Sequence, residues 1–155
     1  MISRREWLRI TTAGVALGTL SARHLVAAAP AAKQATVYKS PTCGCCKKWV
    51  EHMQKAGYTV TSNDVADVNV FKKRYAVAED LWSCHTAIVT GGYVVEGHVP
   101  ADVIDKFVAE APKDVIGLAV PGMPQGSPGM ESSTPDKYDV LAFTKTGKTR
   151  VYAKR

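Results

Sequence analysis

The sequence predicts a mixed α/β domain of order β-α-β-α-β-β-α, followed by a Gly/Pro/Met-rich loop and a C-terminal β-hairpin. Three observations predict it. Short β-branched and aromatic runs alternate with stretches of helical apolar spacing. Gly and Pro punctuate the boundaries between them. Three of the four cysteines crowd into the first strand-to-helix turn.

Ala35 to Lys39 reads as the first strand, broken by Ser40-Pro41-Thr42. Cys43 to Ala56 then has helical spacing: Cys46, Trp49, Val50 and Met53 share one face, with Lys47, Lys48, Glu51 and Gln54 elsewhere. Gly57 closes that helix as a left-handed cap. Tyr58 to Val65 is a second strand, and Asp67 caps a helix running to about Tyr75, with Phe71 and Tyr75 on one side. Thr86 to Thr90 and Tyr93 to Glu96 are two strands joined by Gly91-Gly92, a tight-hairpin signal. Pro100 opens the last helix, whose Val103, Ile104, Phe107 and Val108 form an apolar stripe, and Pro112 stops it. Residues 117–135 hold four Gly and four Pro, a density expected to support neither helix nor strand. Tyr138 to Thr144 and Thr149 to Ala153 flank a turn at Lys145-Thr146-Gly147-Lys148, a β-hairpin. With cysteines at the first strand-to-helix turn, this order resembles the thioredoxin fold.

Half of the formal charge of +6 sits in residues 1–29, where four arginines face one glutamate. The remainder is too balanced for a binder of phosphate backbones, which excludes nucleic acid as the expected partner. Ser3-Arg4-Arg5-Glu6-Trp7-Leu8-Arg9 resembles the twin-arginine export signal. Trp7 stands where that pattern has Phe, so the general secretory route stays open as the alternative. Ile10 to Leu20 is mildly apolar and shorter than the ~20 residues of a membrane span. Ala27-Ala28-Ala29-Pro30-Ala31-Ala32 suits a signal peptidase. The expected organisation is an export signal over 1–29 cleaved near residues 29–32, and a thioredoxin-like domain over 33–112. A Gly/Pro/Met loop over 113–137 and a C-terminal hairpin extension over 138–155 follow. The expected location is the periplasm, with no membrane span in the mature protein, where thiols can be oxidised.

Cys43 and Cys46 have C-x-x-C spacing, with Cys45 between them. A helix N-terminus favours thiolate over thiol through its unpaired N–H groups and dipole, and thiolate serves both disulfide exchange and soft-metal binding. Topology brings Cys84 to the same place. The third strand, antiparallel to the first, begins at the edge where the first ends. Cys84 or His85 then occupies the position where thioredoxins carry a cis-proline. The fourth strand ends at this edge too, bringing Glu96-Gly97-His98 within reach. Adjacent Cys45 and Cys46 diverge by about 100° on a helix, awkward for one tetrahedral zinc ion. Cu(I) accepts lower coordination and soft ligands, and bridging sulfurs can hold several ions. Three readings follow: thiolate binding of Cu(I) by Cys43, Cys45, Cys46 and Cys84, thiol–disulfide exchange by Cys43 and Cys46, or two stapling disulfides. Weaker metal ligands are His85, His98, Met123 and Met130. Met53 reads as core, and His52 lies away from the helix N-terminus. Trp82 reads as a shield of the site.

Tyr38-Lys39-Ser40-Pro41-Thr42-Cys43-Gly44-Cys45-Cys46, with Cys84-His85-Thr86-Ala87 and Glu96-Gly97-His98-Val99-Pro100, is similar to the CopG-like exported copper-resistance proteins, formerly a domain of unknown function. The resemblance covers roughly residues 35–130. It implies a thioredoxin-like domain that binds Cu(I) through these cysteines, with thiol–disulfide and copper redox chemistry coupled. The repeated Pro-Gly-Met after the last helix fits such proteins. The implied partners are copper ions and a periplasmic redox or copper-export protein. Whether the chain carries copper or acts on it as a redox enzyme stays open, because both need the same ligands.

Overall fold

The structure is a computed structural model that describes residues 32–155. The expected export signal lies outside the described residues. Strands β1 (Gln34–Lys39), β2 (Thr59–Asp64), β3 (His85–Val89), β4 (Tyr93–Glu96), β5 (Gly117–Ala119), β6 (Asp139–Phe143) and β7 (Thr149–Lys154) form one seven-stranded sheet. Its order is β2-β1-β3-β4-β5-β6-β7. β1 and β2 are parallel, joined across one face by α1 (Gly44–Lys55). β4 and β5 are parallel, joined by α3 (Ala101–Glu110), and the remaining pairs are antiparallel. Helix α2 (Asn69–Arg74) and a single 3-10 turn at Glu79–Leu81 link β2 to β3 over the opposite face.

The period-2 alternation of the strands sorts the core into two layers. On one face, Trp49 and Met53 of α1 and Ile104 and Phe107 of α3 pack on Val37, Ala87, Val95, Leu118 and Val140. Each such fully buried side chain contributes roughly 1.5–3 kcal/mol. On the other face, Val77 and Leu81 pack on Val94, Ala119 and Phe143. The expected caps hold: Asp67 Oδ1 accepts the Asn69 N–H at 2.9 Å, and Gly57 donates back to the Gln54 carbonyl at 2.9 Å.

The Gly- and Pro-rich stretch corrects the expectation that it holds no strand. Residues 117–119 form β5, which pairs with β4 on one side and β6 on the other. Gly117 belongs to that strand for a steric reason, since a Cβ there would collide with the Val94 carbonyl and press on the Phe143 ring. A residue read as a breaker is here the condition for close strand approach. Through β5 the C-terminal hairpin joins the main sheet and covers its core: Tyr152 stacks edge-on against Phe107 at 5.3 Å.

Candidate metal centre

The registers explain how distant cysteines meet. Lys39, the last residue of β1, pairs with His85, the first of β3, and Thr86 pairs with Glu96 at the end of β4. The turn into α1, the lead-in to β3 and the exit from β4 therefore share one edge of the sheet. Cys43 is the N-cap residue of α1, in extended conformation and with no side-chain cap of its own, so Cys45 and Cys46 lie in the first turn.

The four sulfurs all lie within 4.8 Å of one another. Cys43 and Cys46 are joined as a disulfide, while Cys45 and Cys84 are free thiols. Cys45 Sγ lies 3.5 Å from Cys43 Sγ and 3.7 Å from Cys84 Sγ. The divergence expected of adjacent Cys45 and Cys46 does not keep them apart, because both reach Cys84: Cys45 Sγ its sulfur and Cys46 Sγ its carbonyl oxygen, each at 3.7 Å.

Cys84 also belongs to a second group, Cys84–His85–His98, whose ligand atoms again lie within 4.8 Å of one another. His98 Nε2 is 2.8 Å from Cys84 Sγ, and His98 Nδ1 is 2.8 Å from the Pro128 carbonyl oxygen. His85 Nδ1 is 3.7 Å from the same sulfur, while its Nε2 is buried with no hydrogen-bond partner among the described residues. Both imidazoles are wholly buried, and they meet edge to face at 5.0 Å. A turn histidine usually caps or is solvated; His98 does neither and points into the sulfur cluster.

Burial sets the protonation states. It pushes the Cys84 thiol up to about 12, and the neighbouring Cys45 adds to the shift. Burial holds His85 well below the usual imidazole range, helped by His98, Lys72 and Lys39. Burial also lowers His98, opposed by the Pro128 carbonyl. The metal-free site is thus a neutral thiol facing neutral imidazoles. A metal there must displace the Cys84 proton.

Beneath the site lies a network that the sequence did not reveal. Lys72 of α2 is buried and ion-paired with buried Glu96. Glu96 also accepts the Thr86 hydroxyl and the Ser83 N–H, each at 2.7 Å. Burial raises the Glu96 carboxyl, against the opposing pull of Lys72. The Ser83 contact fixes the backbone immediately before Cys84. Nothing in Lys72-Lys73 distinguishes the buried lysine from its exposed neighbour except helical phase. His52 accepts the Ala101 N–H at 3.0 Å and so caps α3. Trp82 donates to the Val77 carbonyl at 3.0 Å and packs in the layer beneath the site, on the opposite face of the sheet.

Two solved structures, "Copper resistance protein copG- Form 1" and "Copper resistance protein copG- Form 2", are similar to this chain at 41% identity, with TM-scores of 0.73 and 0.74. The similarity covers 79% of this chain and 96% and 98% of those chains. The chain belongs to the CopG copper-resistance family. The family model described as "Protein of unknown function, DUF411" matches residues 81–130. No curated protein matches. The matched segment runs from the lead-in to Cys84 through His98 to Met130, so it takes in one half of the CopG-like site and leaves out the cysteines of α1.

The two methionines expected as weaker ligands part company. Met130 lines a cavity of about 390 Å³ together with Gly44, Cys45, Lys48 and Glu131. Met123 is 53% exposed and does not line that cavity.

Proposed function

We propose that this chain is a copper-resistance protein that holds Cu(I) in the thiolates of Cys43, Cys45, Cys46 and Cys84, as a small cluster rather than a single ion. Membership of the CopG family and the sulfur cluster support a copper-related role. The observation that carries the finer reading is that Cys84 is common to both ligand groups. A thiolate with one group of donors on each side can bridge two ions. The donors are sulfur and imidazole nitrogen without a carboxylate, a soft to borderline set that suits Cu(I). His85 adds a buried imidazole whose Nδ1 lies 3.7 Å from the shared sulfur. Anaerobic titration of the reduced protein with Cu(I) tests the reading: more than one tightly bound equivalent is expected, and a single equivalent or none sinks it.

The Cys43–Cys46 pair adds a redox function to the same site. Two thiols and two Cu(II) ions give one disulfide, two Cu(I) ions and two protons, so electrons and charges balance. Release of thiol-held copper on oxidation follows, because a disulfide sulfur is no longer a thiolate. Continued turnover then requires a dithiol reductant, and the proposed setting is the periplasm after signal removal, with a redox or copper-export protein as partner. Stopped-flow reduction of Cu(II) by the reduced protein, with loss of two thiols for every two Cu(I) formed, is the expected result.

A second reading, thiol–disulfide exchange without metal, is favoured by one observation: Cys43 and Cys46 are disulfide-bonded, with Cys43 half-buried and Cys46 buried at a helix start. Insulin reduction by metal-free protein separates the two. Rapid turnover indifferent to Cys84 and to copper supports this rival.

A further inference from the structure

The geometry points to a positioning role for Pro128-Gly129-Met130: this segment fixes the tautomer and the aim of His98. The role rests on the copper reading only in treating His98 as a ligand, since the tautomer is a property of the metal-free chain. A carbonyl oxygen can only accept, so the 2.8 Å contact with Pro128 places the imidazole proton on Nδ1. A neutral imidazole has one N–H, so Nε2 keeps its lone pair, and that atom faces Cys84 Sγ at 2.8 Å. His85, in the same site, has no backbone partner of this kind, and its Nε2 is unpaired.

The Pro128 carbonyl can reach His98 because residue 129 has no side chain. Gly129 adopts φ +90°, and a Cβ there would sit 2.6 Å from the Cys45 carbonyl oxygen, 3.0 Å from the Trp49 backbone nitrogen and 3.4 Å from His98 Nδ1. One short stretch of backbone thus touches both the cysteine helix and the ligand histidine. The segment is braced within itself. The Gly129 N–H donates to Glu131 Oε1 at 2.7 Å, the Met130 N–H to the Ser127 carbonyl at 2.8 Å, and the Ser127 hydroxyl to the Pro124 carbonyl at 2.6 Å. Glu131 lies 3.7 Å from Lys48 on α1. Groups that orient a ligating imidazole through its second nitrogen typically set about 10–100-fold of metal affinity.

The test begins with the metal-free, reduced chain near neutral pH, in which long-range proton–nitrogen NMR reads the His98 tautomer. Protonation at Nδ1 is expected, and protonation at Nε2 overturns the proposal. Gly129→Ala is expected to mix the tautomers and to weaken Cu(I) binding about 10–100-fold in competition with a chromogenic chelator. An unchanged tautomer together with affinity within twofold of the parent also overturns it. If Gly129→Ala does not fold, Glu131→Ala removes the brace from an exposed position. It is expected to shift tautomer and affinity in the same direction by less, and no shift overturns the proposal. A chain that shows the Nδ1–H tautomer yet binds no Cu(I) leaves the positioning role standing and removes the copper reading instead.

Discussion

The two sides of the sulfur cluster are built in opposite ways. Cys43, Cys45 and Cys46 come from four consecutive positions at the start of one helix, with Cys43 and Cys45 half-buried. Cys84, His85 and His98 come from two strand ends, are held by an underlying ion pair and an overlying loop, and include two wholly buried imidazoles. The first side is encoded locally, and its chemistry can change, because a disulfide forms or opens within one helical turn. The second side is assembled over long range and is fixed in place. The redox role proposed above would draw on the first side, while the second would keep the shape of the site.

Lys72→Met leaves Glu96 buried without its counter-charge, and a stability loss of about 3–5 kcal/mol is expected by urea denaturation. A loss below about 1 kcal/mol would mean that Glu96 simply takes up a proton and that the fixed side does not depend on the pair. Cys84→Ser removes the member common to both ligand groups. It is expected to lower Cu(I) affinity by more than the roughly 100-fold that marks the upper end of orienting effects. Cys45→Ser, on the adaptable side, should chiefly lower the number of ions held. Equal losses of affinity in the two variants would erase the distinction.

The folded Cys84 thiol lies near 12, so it is protonated throughout the neutral range and must release that proton to bind a metal. Cu(I) affinity should therefore rise with pH, by about tenfold per unit from this group alone, and Cys84→Ser should lose that share of the slope. The histidines give a smaller effect of the same sign, on stability rather than on affinity. His85 and His98 are depressed in the folded state, so the unfolded chain takes up protons first as pH falls through about 6.5. Stability of the metal-free protein should then decline by up to about 1.4 kcal/mol per pH unit for each histidine, and be fully present above that range. A chemical-denaturation series from pH 7.5 to 5 measures it, and a flat profile would mean that the imidazoles are not held neutral by burial.

What was legible in the sequence follows the same division. Strands β1 to β4 and helices α1 and α3 could be read because their apolar periods, caps and Gly91-Gly92 turn are local signals. The approach of Cys84 to the α1 cysteines could be read because antiparallel pairing leaves little choice of edge. β5 could not, since Gly117 looks like a breaker until Val94 is seen lying against it. His98 could be read only as a weaker ligand, because its second partner, the Pro128 carbonyl, is 30 residues away in a loop without a period. Lys72 was hidden for the reason that buried charges usually are: its partner Glu96 lies across the sheet, and only the pair makes either position tolerable.

The three strands that converge on the sulfurs, β1, β3 and β4, are interior members of a seven-stranded sheet, each bonded to a neighbour on both sides. That pairing on both sides makes the base of the centre stiff. The cavity bounded by Gly44, Cys45, Met130 and Glu131 opens between the start of α1 and the loop. On the proposed copper reading, a residue bearing a thioether and one bearing a thiol stand at this mouth, while Cys46, His85 and His98 are wholly buried.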